Sequence, residues 1–180
     1  RRKGGGPILI NTIHEIDNLR YVCGEISRVY AAVSNTTRGF EVEDTVSVSV
    51  RFKSGALASI LMSDTAPSLW GYESNLGENP FFHPTTGDIY HYLGTKASLT
   101  FPGLIKVFYP DPAKAGWQHP LSMQQLRAPM WDTYTEQMRS FCRVIRGEEE
   151  PRTSGEDARR TLEVIQAVAE SGATHRPVEL

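Results

Sequence analysis

The chain has 180 residues with 39% hydrophobic and 22% charged side chains, enough for one full hydrophobic core and unlike a disordered or fibrous composition. A net charge of −2 offers no general basic field for nucleic acid or an anionic membrane. No apolar run approaches the roughly 20 residues of a membrane helix, so the expected partners include neither nucleic acid nor membrane.

Arg1-Arg2-Lys3 and Gly4-Gly5-Gly6 resemble a basic signal lead, but the Pro and charges that follow exclude its apolar core. The segment reads instead as a loop at an excised boundary. A helix is expected from Pro7 to Cys23: Pro7 suits the first turn, Leu9, Ile13, Ile16, Leu19 and Cys23 recur at helical spacing, and Gly24 stops it. Strands are expected over Arg28–Val33, Thr45–Phe52 and Ala56–Ser63. Lys53-Ser54-Gly55 is a tight-turn signal that joins the last two as an antiparallel hairpin. The strict alternation Thr45-Val46-Ser47-Val48-Ser49-Val50 puts valines on one face and hydroxyls on the other.

An irregular aromatic stretch from Trp70 to Pro84 precedes further strands at Ile89–Leu93, Ser98–Phe101 and Leu104–Tyr109, and a Pro-rich loop follows from Pro110 to Pro129. A helix over Trp131–Arg146 should bury Tyr134, Met138, Phe141, Cys142 and Ile145. Another over Glu156–Ser171, with Ser154 or Thr153 as N-cap, should bury Ala158, Leu162, Ile165 and Val168 and stop at Gly172. Both cysteines, Cys23 and Cys142, fall in apolar helical patterns and read as buried thiols in a reducing cytoplasm. The fold class is α+β: one broad, largely antiparallel open sheet with helices gathered on one face.

The glycine cluster has no strand before it, so the strand, G-x-G-x-x-G turn and helix of a dinucleotide cradle are missing. His14 and Asp17 share one side of the first helix, and Asn11 lies about 60° round from His14. From that helix alone two readings stand: a surface or capping histidine paired with an acid, and an imidazole held by a carboxylate for proton transfer. His91 and His119 lack metal-ligand spacing and read as solvated. Arg139, Arg143 and Arg146 read as a solvated helix face, and Asp44 as a structural side chain bonding a turn.

The run Gly4-Gly5-Gly6-Pro7-Ile8-Leu9-Ile10-Asn11-Thr12-Ile13-His14-Glu15-Ile16-Asp17, continuing through Leu19-Arg20 to Gly24-Glu25, resembles the opening of the second domain in the Gfo/Idh/MocA oxidoreductase family. Glu43-Asp44-Thr45 with Phe52-Lys53-Ser54-Gly55-Ala56 is similar to that family's central hairpin. Gly94-Thr95-Lys96-Ala97-Ser98-Leu99 is similar to its strand turn, and Tyr134 through Gly172 to its closing helix pair. The resemblance implies that residues 1–180 form a substrate-binding and oligomerisation domain, with an N-terminal Rossmann domain lying outside this chain. It further implies an NAD- or NADP-dependent dehydrogenase, acting on a hydroxyl or carbonyl of a sugar, cyclitol or related polyol. This domain alone would be inactive. The resemblance makes His14 the catalytic proton relay and Asp17 a substrate or orienting carboxylate, and it sets Trp70 and Asn79 in loops that border the substrate cleft. The family's first aspartate falls at Ile10, which cannot take a proton; Asn11 can orient a substrate but cannot act as a base. That departure keeps an alternative open: a ligand-binding or assembly module without dehydrogenase activity. A homo-oligomer packed through the sheet face is expected in either case.

Overall fold

The structure, a computed structural model, describes residues 5–129 and 132–180. The expected lead at Arg1–Gly4 and the helix start at Trp131 lie outside the described residues. The chain forms two compact units, Arg1–Ala66 with Pro151–Leu180, and Pro67–Glu150.

In the first unit the expected opening helix forms in two parts, a π-helical turn at Ile8–Thr12 and helix α1 at Ile13–Cys23. Gly24 closes α1 with φ +90°, a backbone conformation that glycine adopts without a Cβ penalty. Strands β1 (Ile26–Ser34), β2 (Thr45–Phe52) and β3 (Leu57–Ser63) follow and pair antiparallel. Gly55, at φ +90°, turns the β2–β3 hairpin at the expected place, with its N–H donating to the Phe52 carbonyl.

The alternation in β2 works as its sequence dictates. Val46, Val48, Val50 and Phe52 are buried while Ser47, Ser49 and Arg51 are exposed. The same registers carry Val29 and Ala31 of β1 beside Val50 and Val48, and bring Ala58, Ile60 and Met62 of β3 onto that inner face. Ile16 and Leu19 of α1 and Val164, Ile165 and Val168 of the last helix complete this core. Full burial of each such side chain contributes about 1.5–3 kcal/mol, so the sheet's inner face and its two helices account for most of this unit's hydrophobic stabilisation.

The second unit holds a short helix α2 (Tyr72–Leu76) and strands β4 (Tyr90–Leu93), β5 (Ala97–Phe101), β6 (Ile105–Phe108) and β7 (Ser122–Gln125). Helix α3 (Thr133–Ile145) ends it. In the first unit, α4 (Gly155–Thr174) and the two-residue strand β8 (Val178–Glu179) close the chain.

The α+β class and the antiparallel pairing hold, but the one broad sheet does not. The strands form two four-stranded sheets, ordered β3-β2-β1-β8 and β4-β5-β6-β7. Alternation fixes which face a side chain takes, not which sheet its strand joins; each sheet here grows mainly from strands that neighbour one another in sequence. The strand β7 lies inside the expected Pro-rich loop. Its Ser122-Met123-Gln124-Gln125 carries no apolar pattern, and pairing with β6 alone makes it a strand.

Helix α3 forms where expected, with Asp132 as N-cap, but its apolar stripe is not buried. Tyr134, Met138, Phe141 and Ile145 are each more than half exposed, and Cys142 is exposed with them. The helical period is right, yet within the second unit, among the described residues, no other element is laid closely over the stripe. Cys23 is half-buried, so neither cysteine is the fully buried thiol expected; burial pushes the Cys23 thiol up. In α4, Ala158 and Leu162 are exposed and the buried stripe is Thr161, Val164, Ile165 and Val168.

Ser154 caps α4 as expected, its side chain accepting from the Asp157 N–H. Gly172 does not stop the helix. It lies inside α4, and His175 at φ 57° forms the C-cap. A Cβ at Gly172 would meet Val33 Cγ1 at 2.8 Å, so glycine here permits close packing of helix on strand. Beside it, buried Ser171 Oγ accepts from the Ala31 N–H at 2.9 Å, satisfying an edge donor of β1 beyond the reach of β8.

Candidate functional site

The π-helical turn and α1 display Asn11 and His14 as exposed side chains, with Ile10 46% exposed beside them. Asp17, one turn beyond His14, is half-buried. No hydrogen bond joins His14 to Asp17 among the described residues; the carboxylate bonds elsewhere. Thr161 of α4 donates its hydroxyl to Asp17 Oδ1 at 2.6 Å. Arg20, three residues on, approaches the same oxygen at 3.9 Å.

Arg20 is the residue that sequence reasoning missed. Its side chain is 3% exposed, although a guanidinium is almost never buried without partners. Here it has them. It donates to both Glu25 oxygens at 2.9 and 3.3 Å, to Asp157 Oδ1 at 2.8 Å and the Asp157 carbonyl at 3.0 Å, and to Thr161 Oγ1 at 2.6 Å. Burial alone would lower the Arg20 pKa, but the bonds from Glu25 and Asp157 outweigh it and raise it. The Arg20 hydrogen bond in turn holds the Glu25 carboxyl below its usual range. A basic residue on the apolar side of an amphipathic helix was the available signal. Nothing local in the sequence marks Thr161.

The glycine lead and the hairpin motif also meet. A Cβ at Gly6 would overlap the Glu43 carboxylate, whose Oε1 accepts from the Ile8 N–H at 2.8 Å. A carboxylate therefore holds the helix-start donor that a phosphate takes in a dinucleotide cradle, and the residues present do not fit a dinucleotide. Asp44, 1% exposed, has the structural role expected of it. The Arg38 N–H first, with the Thr45 hydroxyl and the Thr37 N–H, holds its carboxyl below the usual range and ties down the β1–β2 connection. A surface hollow of about 610 Å³ in the same unit is lined by Glu25, Lys53, Arg160 and the C-terminal strand, and does not include His14.

Trp70 and Asn79 belong to the second unit. Trp70 is 74% exposed. Asn79 Oδ1 accepts from the Phe81 N–H at 3.1 Å and its carbonyl accepts from the Phe82 N–H, so its amide oxygen shapes a turn. Phe81 and Phe82 are exposed beside it. His91 and His119 are exposed, and Arg139 and Arg143 of α3 pair with Glu136 and Glu149. Among the described residues no group of three or more His, Cys, Asp or Glu side chains could share a metal ion, and no helix is long and apolar enough to cross a membrane.

The sequence pattern of the GFO/IDH/MocA C-terminal domain matches residues 1–99, more than half of the chain. This chain belongs to the GFO/IDH/MocA family.

Members similar to this GFO/IDH/MocA domain include the myo-inositol 2-dehydrogenase of Thermotoga maritima, 26% identical over 99% of this chain and 50% of its own length. The 1,5-anhydro-D-fructose reductase of Ensifer adhaerens is 29% identical over 98% of this chain and 48% of its own length. The chain thus spans about half the length of the curated relatives it matches. Among solved structures, levoglucosan dehydrogenase in complex with NADH and L-sorbose superposes with a TM-score of 0.74 at 21% identity, covering 98% of this chain and 50% of its own. At that identity the likeness supports the fold.

Proposed function

We propose that this domain is the substrate side of an NAD- or NADP-dependent oxidoreductase that transfers hydride to or from a hydroxyl or carbonyl of a sugar, cyclitol or related polyol. The observation that carries it is the outward display of His14 one turn ahead of Asp17, on the opening helix of a GFO/IDH/MocA domain. An imidazole at that position can take the proton of a reacting hydroxyl in one direction of the reaction, and the imidazolium so formed returns it in the other. Asp17 Oδ2 and the Asn11 amide accept or donate to neighbouring substrate hydroxyls. In the second unit, taken by itself, exposed Trp70 carries an aromatic face of the kind that suits sugar C–H groups, and the family resemblance extends a substrate role to it and to Asn79. On this reading the nicotinamide dinucleotide is held by a separate Rossmann-type domain of the parent, which the Glu43 carboxylate lying against Gly6 supports.

The outer face of the first sheet presents Ser47, Ser49 and Ser59 between Tyr30, Leu57 and Leu61, all exposed. Such a shallow face, uncovered by α1 or α4, supports a homo-oligomer built through it.

The test is turnover of the full-length parent with myo-inositol, 1,5-anhydro-D-fructose and levoglucosan, followed by NAD(P)H absorbance, with light scattering for assembly. His14→Ala should lower kcat by about 10²-fold or more on an active substrate. Unchanged turnover in that variant removes His14 from the mechanism. The second reading, an assembly or binding module without turnover, is favoured by the exposed Ile10 in place of an acid. A parent that assembles and binds these polyols without oxidising or reducing any of them decides for it.

A further inference from the structure

Thr161 stands between the buried guanidinium and the half-exposed carboxylate. Arg20 Nη1 donates to Thr161 Oγ1 at 2.6 Å, and Thr161 Oγ1 donates to Asp17 Oδ1 at 2.6 Å. A hydroxyl has one proton to give. With a guanidinium on its acceptor side, that proton is directed at Asp17. Arg20 cannot drift, because Glu25 and Asp157 hold its other nitrogens at 2.8 to 3.3 Å. Thr161 is itself 3% exposed, with its residue fixed in the buried stripe of α4. The relay thus holds one Asp17 oxygen from beneath, while Oδ2 takes no hydrogen bond among the described residues and the side chain stays 39% exposed.

The geometry points to Thr161 as a positioning residue: with Arg20 behind it, it fixes the Asp17 rotamer so that Oδ2 stays open for a substrate hydroxyl. A lone aspartate on an exposed helix surface samples several χ1 wells, and locking one removes an ordering cost from substrate binding. The inference rests on Asp17 contacting substrate, as proposed above. The relay itself can be tested without that.

The experiment compares Thr161→Val, isosteric but without the hydroxyl, with Thr161→Ser, which keeps it. In the 180-residue chain, NMR three-bond couplings should report one Asp17 χ1 rotamer for wild type and for Thr161→Ser, and averaging among rotamers for Thr161→Val. A single unchanged rotamer in a folded Thr161→Val chain overturns the positioning role whatever the enzyme does. In the full-length parent, Thr161→Val should raise KM for an active polyol by about three- to tenfold, the cost of ordering one mobile side chain on binding, with a smaller effect on kcat. Thr161→Ser should restore KM to within about twofold of wild type. If Asp17→Ala is damaging and Thr161→Val is not, the positioning claim fails while the site reading survives. If neither variant changes KM or kcat, the claim that Asp17 meets substrate fails as well.

Discussion

Replacing Arg20 by methionine isolates the contribution of a buried guanidinium while keeping most of the aliphatic packing of its stem. In the native chain that group makes charged hydrogen bonds to Glu25 and Asp157 and a further one to Thr161. Each bond of this kind is worth about 1.5–3 kcal/mol when made in full. The partner carboxylates are 38% and 41% exposed, so water can take them up when the cation goes, and the sum must be discounted. Cutting a buried pair on one side costs about 3–5 kcal/mol where no water enters. The expected loss is therefore near the lower bound, about 3 kcal/mol. For a chain of this size that is a fall in Tm of about 6–12 °C.

The pH dependence follows from Glu25. Its folded pKa is depressed by Arg20, so its contribution is complete above the unfolded value of about 4.3 and is lost as pH falls through the lower folded value. Differential scanning calorimetry should show the full gap between wild type and Arg20→Met at pH 7, and a gap that narrows below about pH 4. A loss under about 2 °C at pH 7, or a gap unchanged down to pH 3, would refute the account of Arg20 as the ionic tie between α1 and α4.

Gly172→Ala adds a Cβ 2.8 Å from Val33 Cγ1; overpacking should cost about 1–3 kcal/mol despite the better helix propensity of alanine, and Val33→Ala in the same chain should recover part of it, both read by urea unfolding. Glu156, held between Arg159 and Arg160 at the start of α4, titrates at about 2 in the folded chain; a midpoint in the ordinary carboxylate range by NMR would contradict those pairings. Because its folded pKa is depressed, whatever stability Glu156 adds is present above its unfolded pKa and fades as pH falls toward 2.

What the sequence determined by itself is local. The period-two run in β2, the Lys53-Ser54-Gly55 turn, the Gly24 stop and the Ser154 cap are each enforced by residues within one or two turns of themselves, so their chemistry can be read without coordinates. The ordered motifs around His14 and Glu43 marked the family for the same reason. Tertiary structure alone decided which apolar stripes found a cover. The stripe of α4 is buried, set on Thr161, Val164, Ile165 and Val168 and not on Ala158 and Leu162, whereas the equally periodic stripe of α3 stays exposed. It also decided that one sheet would be two, and that Ser122–Gln125 would be a strand. The same holds for Asp17, whose partner Thr161 lies 144 positions away in sequence. Periodicity states that a surface wants burial or a carboxylate wants a donor; only the folded chain brings the group that meets the need, because packing and hydrogen bonding act through space and not along the sequence.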